Sequence, residues 1–158
     1  MNSTDAFSRL FYTLLKTGLA PRSFYRKPRP YQALEVDFAA SFLASLALQK
    51  AEGYARYHLL ESRCPSLDQM VDWACLSHSL DRLSYERFYQ GLSRELQALP
   101  QKQRDLTLFP LLKYWSKPRE ASGTVVSHQR FEEKAKEFGL TPKGLDRISF
   151  LRILDVLA

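Results

Sequence analysis

The chain has 158 residues, the size of one domain, and 45% of them are apolar and 13% aromatic, as in globular proteins with a sizeable core. No apolar run approaches the roughly 20 residues that span a bilayer, and the first residues lack the pattern of a signal peptide. Two cysteines are too few for a disulfide-rich scaffold, so we expect a reducing compartment, the cytoplasm. Membrane, secreted and fibrous classes are therefore not expected.

The net charge of +6 originates in one segment. Between Ala6 and Leu34 there is no acidic residue, and the remaining 17 basic residues balance the 17 acidic ones. The basic residues of the segment are Arg9, Lys16, Arg22, Arg26, Lys27 and Arg29. Such a patch can meet nucleic acid, an acidic protein or a phosphate group, and a solvated loop without a partner is an equally open alternative.

Hydrophobic periodicity predicts that most of the chain is helical. The first helix carries apolar residues from Phe7 to Leu15 and ends at Gly18. Pro21, Pro28 and Pro30 predict irregular structure as far as Tyr31. Further helices are predicted over residues 38–50, 67–77, 85–99, 102–115, 128–138 and 148–157, with Asp37, Ser66 and Ser84 as N-caps and Pro110 kinking or restarting the fourth of them.

Three short strands are predicted between these helices, over residues 33–36, 55–60 and 80–84. Because helices separate them, parallel pairing through crossover connections is favoured over hairpins. The predicted fold class is therefore α+β and mostly helical, with about three short strands that make a poor sheet on their own.

Two side-chain sets have residue types suited to chemistry. His58, Cys64, Cys75 and His78 suit zinc, but they lack closely spaced ligand pairs, and a buried cysteine is commonly a small core residue. Tyr12 and Lys16 have the spacing of a reductase proton donor and its lysine, but a nicotinamide site needs a βαβ unit before them. We therefore expect neither a metal site nor a catalytic residue.

The glycines encode no phosphate-binding loop, since no two have the spacing of a dinucleotide or P-loop fingerprint. Phe24 and Tyr25 among the basic residues do mix aromatic and cationic side chains, as single-strand binders do. Nucleic-acid binding nevertheless rests on this cluster and on charge alone, and it is the least favoured function.

A series of short motifs runs through nearly the whole chain. A Thr-Gly-x-Ala-Pro turn followed by Ser-Phe-Tyr stands at residues 17–25, Val-Asp-Phe at 36–38, Tyr-His at 57–58, Val-Asp-Trp at 71–73, an Ala-Leu-Pro run within 98–112, and a closing segment at 130–140. In this order the motifs resemble the C-terminal portion of the reductase domain of carboxylic acid reductases. Related thioester reductases that end nonribosomal peptide and polyketide synthases share the resemblance.

The resemblance implies the substrate-side part of an extended short-chain-reductase, Rossmann-type fold, forming a single domain over residues 1–158. In that family the N-terminal part binds NADPH, carries the catalytic residues and reduces an acyl thioester on carrier-bound phosphopantetheine to an aldehyde or alcohol. By resemblance we expect this chain to hold no cofactor and to be inactive alone. Its expected partners are an acyl or peptidyl carrier domain and the missing NADPH-binding half.

The resemblance also suggests two sets of site residues. The basic ones, expected to bind phosphopantetheine phosphate or acidic carrier helices through arginine forks, are Arg22, Arg26, Lys27 and Arg29. The aromatic ones, expected to form the wall for the acyl chain, with plain core packing as the alternative, are Phe24, Tyr25 and Phe38.

A second hypothesis is a stand-alone, non-catalytic interaction protein derived from a reductase, which binds a carrier protein or another acidic partner. Its surface would have adapted to cover the apolar face that the missing sheet once covered. A dissected part of an enzyme would expose that face instead and would associate.

Overall fold

The structure is a computed structural model that describes residues 5–27, 31, 34–50, 53–61, 64–120 and 126–157. Its elements in chain order are α1 (Ala6–Thr17), β1 (Leu19–Pro21), α2 (Val36–Ala47), α3 (Leu67–Ala74), β2 (Asp81–Leu83), α4 (Tyr85–Ala98), α5 (Gln101–Arg104), a 3₁₀ helix (Phe109–Trp115), α6 (Gln129–Glu137) and α7 (Arg147–Leu157). The chain divides into two compact units. Within the described ranges, no helix is both long and apolar enough to cross a membrane.

Unit 1 comprises Met1–Arg29, Ser66–Ala121 and Arg147–Ala158 and contains the sheet. β1 and β2 are parallel, with Leu19 opposite Asp81 and Pro21 opposite Leu83. The parallel pairing expected from the intervening helices is confirmed, and the predicted strand over 80–84 is confirmed as β2. The described residues hold these two strands only, and the predicted α+β, mostly helical class holds with a smaller sheet than expected.

Local signals set the ends of α1. Its N-cap is Asp5, which accepts a hydrogen bond from the Ser8 amide at 2.9 Å. Its end at Gly18 is confirmed: the glycine adopts a left-handed conformation with φ of 66°, which costs side-chain-bearing residues energy. Thr13 then fixes α1 to a distant segment, because its hydroxyl accepts the Leu108 amide at 2.8 Å in a buried position.

The core of unit 1 is aromatic and aliphatic. Phe11 and Phe150 meet edge to face with ring centroids 4.9 Å apart, and Trp73 packs on Phe150 at 5.9 Å. α4 contributes the fully buried Phe88 and Leu92, as its amphipathic pattern predicted. These contacts join α1, α3 and α7 into the body on which the sheet rests.

Unit 2 comprises Pro30–Pro65 and Ser122–Asp146 and is built on α2 and α6. Phe42 and Phe131 are fully buried at its centre with ring centroids 5.0 Å apart. Phe38 and Tyr57 pack around this pair. α6 ends at Glu137, and the left-handed Gly139, with φ of 67°, follows two residues later.

Two of the three predicted strands are wrong. Residues 55–60, predicted as a strand from their aromatic and apolar content, form no ladder with any described residue, although Tyr57 and Leu59 pack against the unit 2 core. Leu34 and Glu35 are irregular and Val36 begins α2, while Ala33 lies outside the described residues. Because α2 begins at Val36, Asp37 lies in its first turn rather than at its cap.

One further prediction is wrong. Pro21 predicted irregular structure, yet β1 ends at that proline and the next amide, of Arg22, donates to the Leu83 carbonyl at 2.7 Å. The restart predicted at Pro110 within residues 102–115 is confirmed: α5 ends at Arg104, and a 3₁₀ helix begins at Phe109, next to Pro110. Proline lacks a backbone N–H, but the first amides of a helix have no acceptor within that helix. A helix can therefore begin with proline at its second position.

Candidate functional site

The candidate site is the basic loop, residues 22–27, which follows β1 in unit 1. Asp68, in the first turn of α3, holds this loop through two hydrogen bonds. The Ser23 hydroxyl donates to one carboxylate oxygen at 2.5 Å, and the Phe24 amide donates to the other at 2.8 Å. The Ser23 hydroxyl in turn accepts the Tyr25 amide at 3.1 Å. One carboxylate therefore fixes the loop directly to a helix.

Strand β2 holds the start of the basic loop. The Arg22 amide donates to the Leu83 carbonyl at 2.7 Å. The Arg22 carbonyl accepts a hydrogen bond from one nitrogen of the Arg82 guanidinium at 2.9 Å. Another nitrogen of that guanidinium donates to the Asp72 carboxylate at 2.8 Å. Arg82 is thus a positioning residue, because its fork links the loop backbone to a carboxylate of α3.

The segment after the 3₁₀ helix holds the other side of the loop. Tyr25 and Arg119 form a parallel bridge, in which the Arg119 amide donates to the Phe24 carbonyl at 2.8 Å and the Arg26 amide donates to the Arg119 carbonyl at 3.2 Å. The Arg119 guanidinium lies over the Trp115 ring, 4.7 Å from its centroid. The loop backbone is therefore held by α3, β2 and this segment.

The basic side chains of the loop, Arg22, Arg26 and Lys27, are exposed to solvent. Arg26 forms an ion pair with Glu120 at 2.9 Å, in which the two side chains are 64% and 72% exposed. Arg29, the fourth basic residue of the prediction, lies outside the described residues. Three of the four predicted cations are thus exposed on this loop.

The three predicted aromatic residues have different surroundings. Phe24 has no exposed surface and meets Trp115 edge to face at 5.7 Å, which is the core packing that the sequence left open as an alternative. Tyr25 is half-buried in unit 1. Phe38 belongs to unit 2, where it packs edge to face on Phe131 at 5.9 Å. Of the three, Tyr25 and Phe38 retain surface that a ligand can touch.

The half-buried phenol of Tyr85 holds the backbone at Trp115, the residue on which Phe24 of the loop packs. The Tyr85 hydroxyl donates to the Trp115 carbonyl at 2.8 Å. Burial raises the pKa of Tyr85 to about 12, although the nearby Arg119 guanidinium opposes that rise. Because general acids work best with a pKa near the operating pH, this tyrosine is suited to structure rather than proton transfer.

Sequence reasoning missed the residues that anchor the loop: Asp68, Arg82 and Arg119. In the sequence, Asp68 has the position of an ordinary acidic residue in the first turn of a helix capped by Ser66. That cap is confirmed, since the Gln69 amide donates to the Ser66 hydroxyl at 3.1 Å. Two features of the sequence could have indicated Asp68 as an anchor. One is a loop whose backbone amides need acceptors, and the other is a helix that begins with a carboxylate not used as its cap.

Other candidate chemistry gives no site in the described part of the chain. No three His, Cys, Asp or Glu side chains there are grouped so that they could hold a metal ion. The Lys16 ammonium lies over the Tyr12 ring, 5.9 Å from its centroid, a weak cation–π contact that needs no catalytic explanation.

Comparison with known proteins gives relatives that include carboxylic acid reductases and an isonitrile lipopeptide synthase of Mycobacterium tuberculosis. The chain is 32% identical over 154 residues to a carboxylic acid reductase of Mycobacterium marinum, covering 90% of this chain and 13% of the relative. It is 30% identical over 149 residues to a carboxylic acid reductase of Segniliparus rugosus, covering 87% of this chain and 12% of the relative. The chain therefore spans only about one eighth of the length of these curated relatives. No protein family model matches the sequence.

Among solved structures, the fold is similar to the reductase domain of a nonribosomal peptide synthetase from Mycobacterium tuberculosis. The TM-score is 0.85 at 24% identity, and the match covers 100% of this chain and 42% of the solved domain. The resemblance inferred from the sequence motifs is confirmed. The chain is related to carboxylic acid reductases, and its fold is similar to part of a nonribosomal peptide synthetase reductase domain.

Proposed function

We propose that this chain is the C-terminal, substrate- and carrier-facing part of a thioester reductase of the carboxylic acid reductase type. The single observation that carries the proposal is the basic loop, in which exposed cations stand on a backbone held by Asp68, Arg82 and Arg119. Because the backbone that carries these cations is already held, less conformational entropy of the loop is lost when an anionic partner binds. In this family that partner is a carrier domain with its phosphopantetheine phosphate.

The proposal places the chemistry outside this chain. An acyl thioester on the carrier would be reduced with NADPH, which would bind to the other part of the reductase, in a Rossmann-type fold that this chain completes. The chain alone would hold no cofactor and turn over no substrate. Tyr25 in unit 1 and Phe38 in unit 2 each retain exposed surface, and each is proposed separately as a residue that borders an acyl chain. The working compartment would be the cytoplasm.

The alternative is a stand-alone interaction protein derived from a reductase. Exposed apolar side chains favour the enzyme-part reading over this alternative. In unit 2, Val36 and Leu48 are 78% and 89% exposed, and in unit 1, Ile148 and Val156 are 62% and 72% exposed. An adapted, self-sufficient surface would be expected to replace such residues, whereas a surface that another part of an enzyme covers would retain them.

The experiment is a binding measurement with the R26E/K27E double variant and an isolated, phosphopantetheinylated carrier domain of a carboxylic acid reductase. We expect the wild-type chain to bind at low salt and the double variant to bind at least about tenfold more weakly, since two attractive charges become repulsive. Added salt should reduce wild-type binding, because exposed charges are screened beyond about 10 Å at 0.1 M ionic strength.

The matched control is R147E/R152E, which reverses two exposed arginines of α7 in the same unit and changes the net charge equally. Carrier affinity close to wild type in this control and reduced in R26E/K27E would support a specific basic loop. Equal loss in both variants would mean non-specific attraction, and no loss in either would refute the proposal. Circular dichroism of both variants checks that the fold is retained.

A further inference from the structure

A second basic feature lies in unit 2 and uses none of the residues of the basic loop. It is a cleft of about 470 Å³ that lies between the stretch before residue 60 and the start of α6. The polar side chains that line it are Arg56, His58, Ser127, Gln129, Arg130 and Glu133. We call it the Arg56–Arg130 cleft.

The sequence places its cations together from two elements. Tyr57 and Leu59 turn toward the unit 2 core, so the alternate positions Arg56 and His58 share the opposite, exposed side. Arg130 comes from the first turn of α6. His58 links its own segment to the segment before α6, because its Nδ1 lies 3.1 Å from the Ser127 carbonyl oxygen. A carbonyl oxygen can only accept, so the imidazole is the donor.

The carboxylates near the cleft already have partners. Glu133 accepts a hydrogen bond from the Gln129 side-chain amide at 2.8 Å, and Glu132 lies 3.2 Å from the His128 imidazole. Among the described residues, no carboxylate pairs with the guanidinium of Arg56 or Arg130. Two guanidinium groups therefore line one cleft in the described part of unit 2, together with a single carboxylate, Glu133, which is hydrogen-bonded to Gln129 rather than paired with either arginine.

The backbone adds donors at the same place. The N-cap of α6, His128, makes no side-chain capping hydrogen bond, and the amides of Gln129 and Arg130 have no acceptor among the described residues. The first amides of a helix are donors that need a partner, and the helix dipole favours negative charge there. These amides and the two arginines together offer more donors than a two-oxygen carboxylate can accept.

From this arrangement we propose that the Arg56–Arg130 cleft binds a phosphate group, either free phosphate or the phosphate of a small monoester. The guanidinium forks of Arg56 and Arg130 would each donate to phosphate oxygens, and the first amides of α6 would complete the cradle. His58 positions the cleft through its bond to Ser127. The proposal does not depend on the reductase function, since it uses neither the basic loop nor Phe38.

The test is a ¹H–¹⁵N NMR titration of the full chain with inorganic phosphate and, separately, with glycerol 3-phosphate, at constant ionic strength. We expect saturable shifts of the Gln129 and Arg130 amides. The R56Q and R130Q variants should each bind about tenfold more weakly, as loss of one charge-assisted pair predicts. Equal affinity for the two probes would mean that free phosphate suffices, and tighter binding of glycerol 3-phosphate would identify a monoester site.

The matched control is R152Q, which removes one exposed arginine from α7 of unit 1 and should bind both probes like the wild type. Absence of saturable shifts with either probe would overturn the proposal. So would dissociation constants in R56Q and R130Q equal to that of the wild type, or a loss in R152Q as large as theirs. The spectrum of each variant without ligand reports whether unit 2 keeps its fold.

Discussion

Replacing Asp68 with alanine should release the basic loop from α3. Its carboxylate accepts the Ser23 hydroxyl at 2.5 Å and the Phe24 amide at 2.8 Å, and a hydrogen bond to a charged group contributes about 1.5–3 kcal/mol. Asp68 is half-buried, so water can replace part of these bonds in the variant. We therefore expect D68A to lower the free energy of unfolding of unit 1 by about 2–3 kcal/mol.

The assay is urea unfolding followed by tryptophan fluorescence, because both tryptophans of the chain, Trp73 and Trp115, belong to unit 1. The control is D72A, one turn further along α3, which removes an ion pair to Arg82 whose carboxylate is 67% exposed. Such pairs contribute at most about 1 kcal/mol. If D68A costs no more than D72A, or if the Phe24 amide exchanges with solvent no faster in D68A, the anchoring role of this carboxylate is refuted.

Two further predictions concern Phe24 of the loop and Tyr85. F24A should destabilise unit 1 by about 3–5 kcal/mol, as for other buried phenylalanines; a loss under 1 kcal/mol in the same urea assay would contradict its place in the core. The pKa of Tyr85, raised by burial to about 12 from 10, predicts that unit 1 loses stability as the pH rises from about 10 to 12. Y85F should lack that part of the loss, and identical pH profiles for Y85F and wild type would contradict it.

Features specified by neighbouring residues could be predicted from the sequence. The end of α1 at Gly18, the Ser84 cap of α4 and the end of that helix before Pro100 all depend on residues within one turn of the boundary. A strand depends on a second strand to pair with, and the local sequence does not indicate which segment that is. Residues 55–60 have the aromatic and apolar content of a strand but no described partner, whereas β1 has a poor pattern and a partner in β2.

The site divides in the same way. The cations of the basic loop could be read directly, because charge is a property of each residue. Their anchors could not, since Asp68 is 44 residues from Phe24 in the chain and Arg82 is 60 residues from Arg22. The burial of Phe24 likewise depends on Trp115, which only the fold brings near.

The surroundings of the basic loop also determine how available each cation is to an anionic partner. Arg26 already faces Glu120 at 2.9 Å, so an anionic partner would compete with that carboxylate for its guanidinium. Arg22 and Lys27 have no carboxylate partner among the described residues, and their charge is available without breaking a contact. Because an exposed ion pair contributes at most about 1 kcal/mol, Glu120 weakens the attraction of Arg26 without abolishing it. The carrier-facing role that we propose therefore falls mainly on Arg22 and Lys27, with Arg26 divided between the partner and the segment that holds the loop.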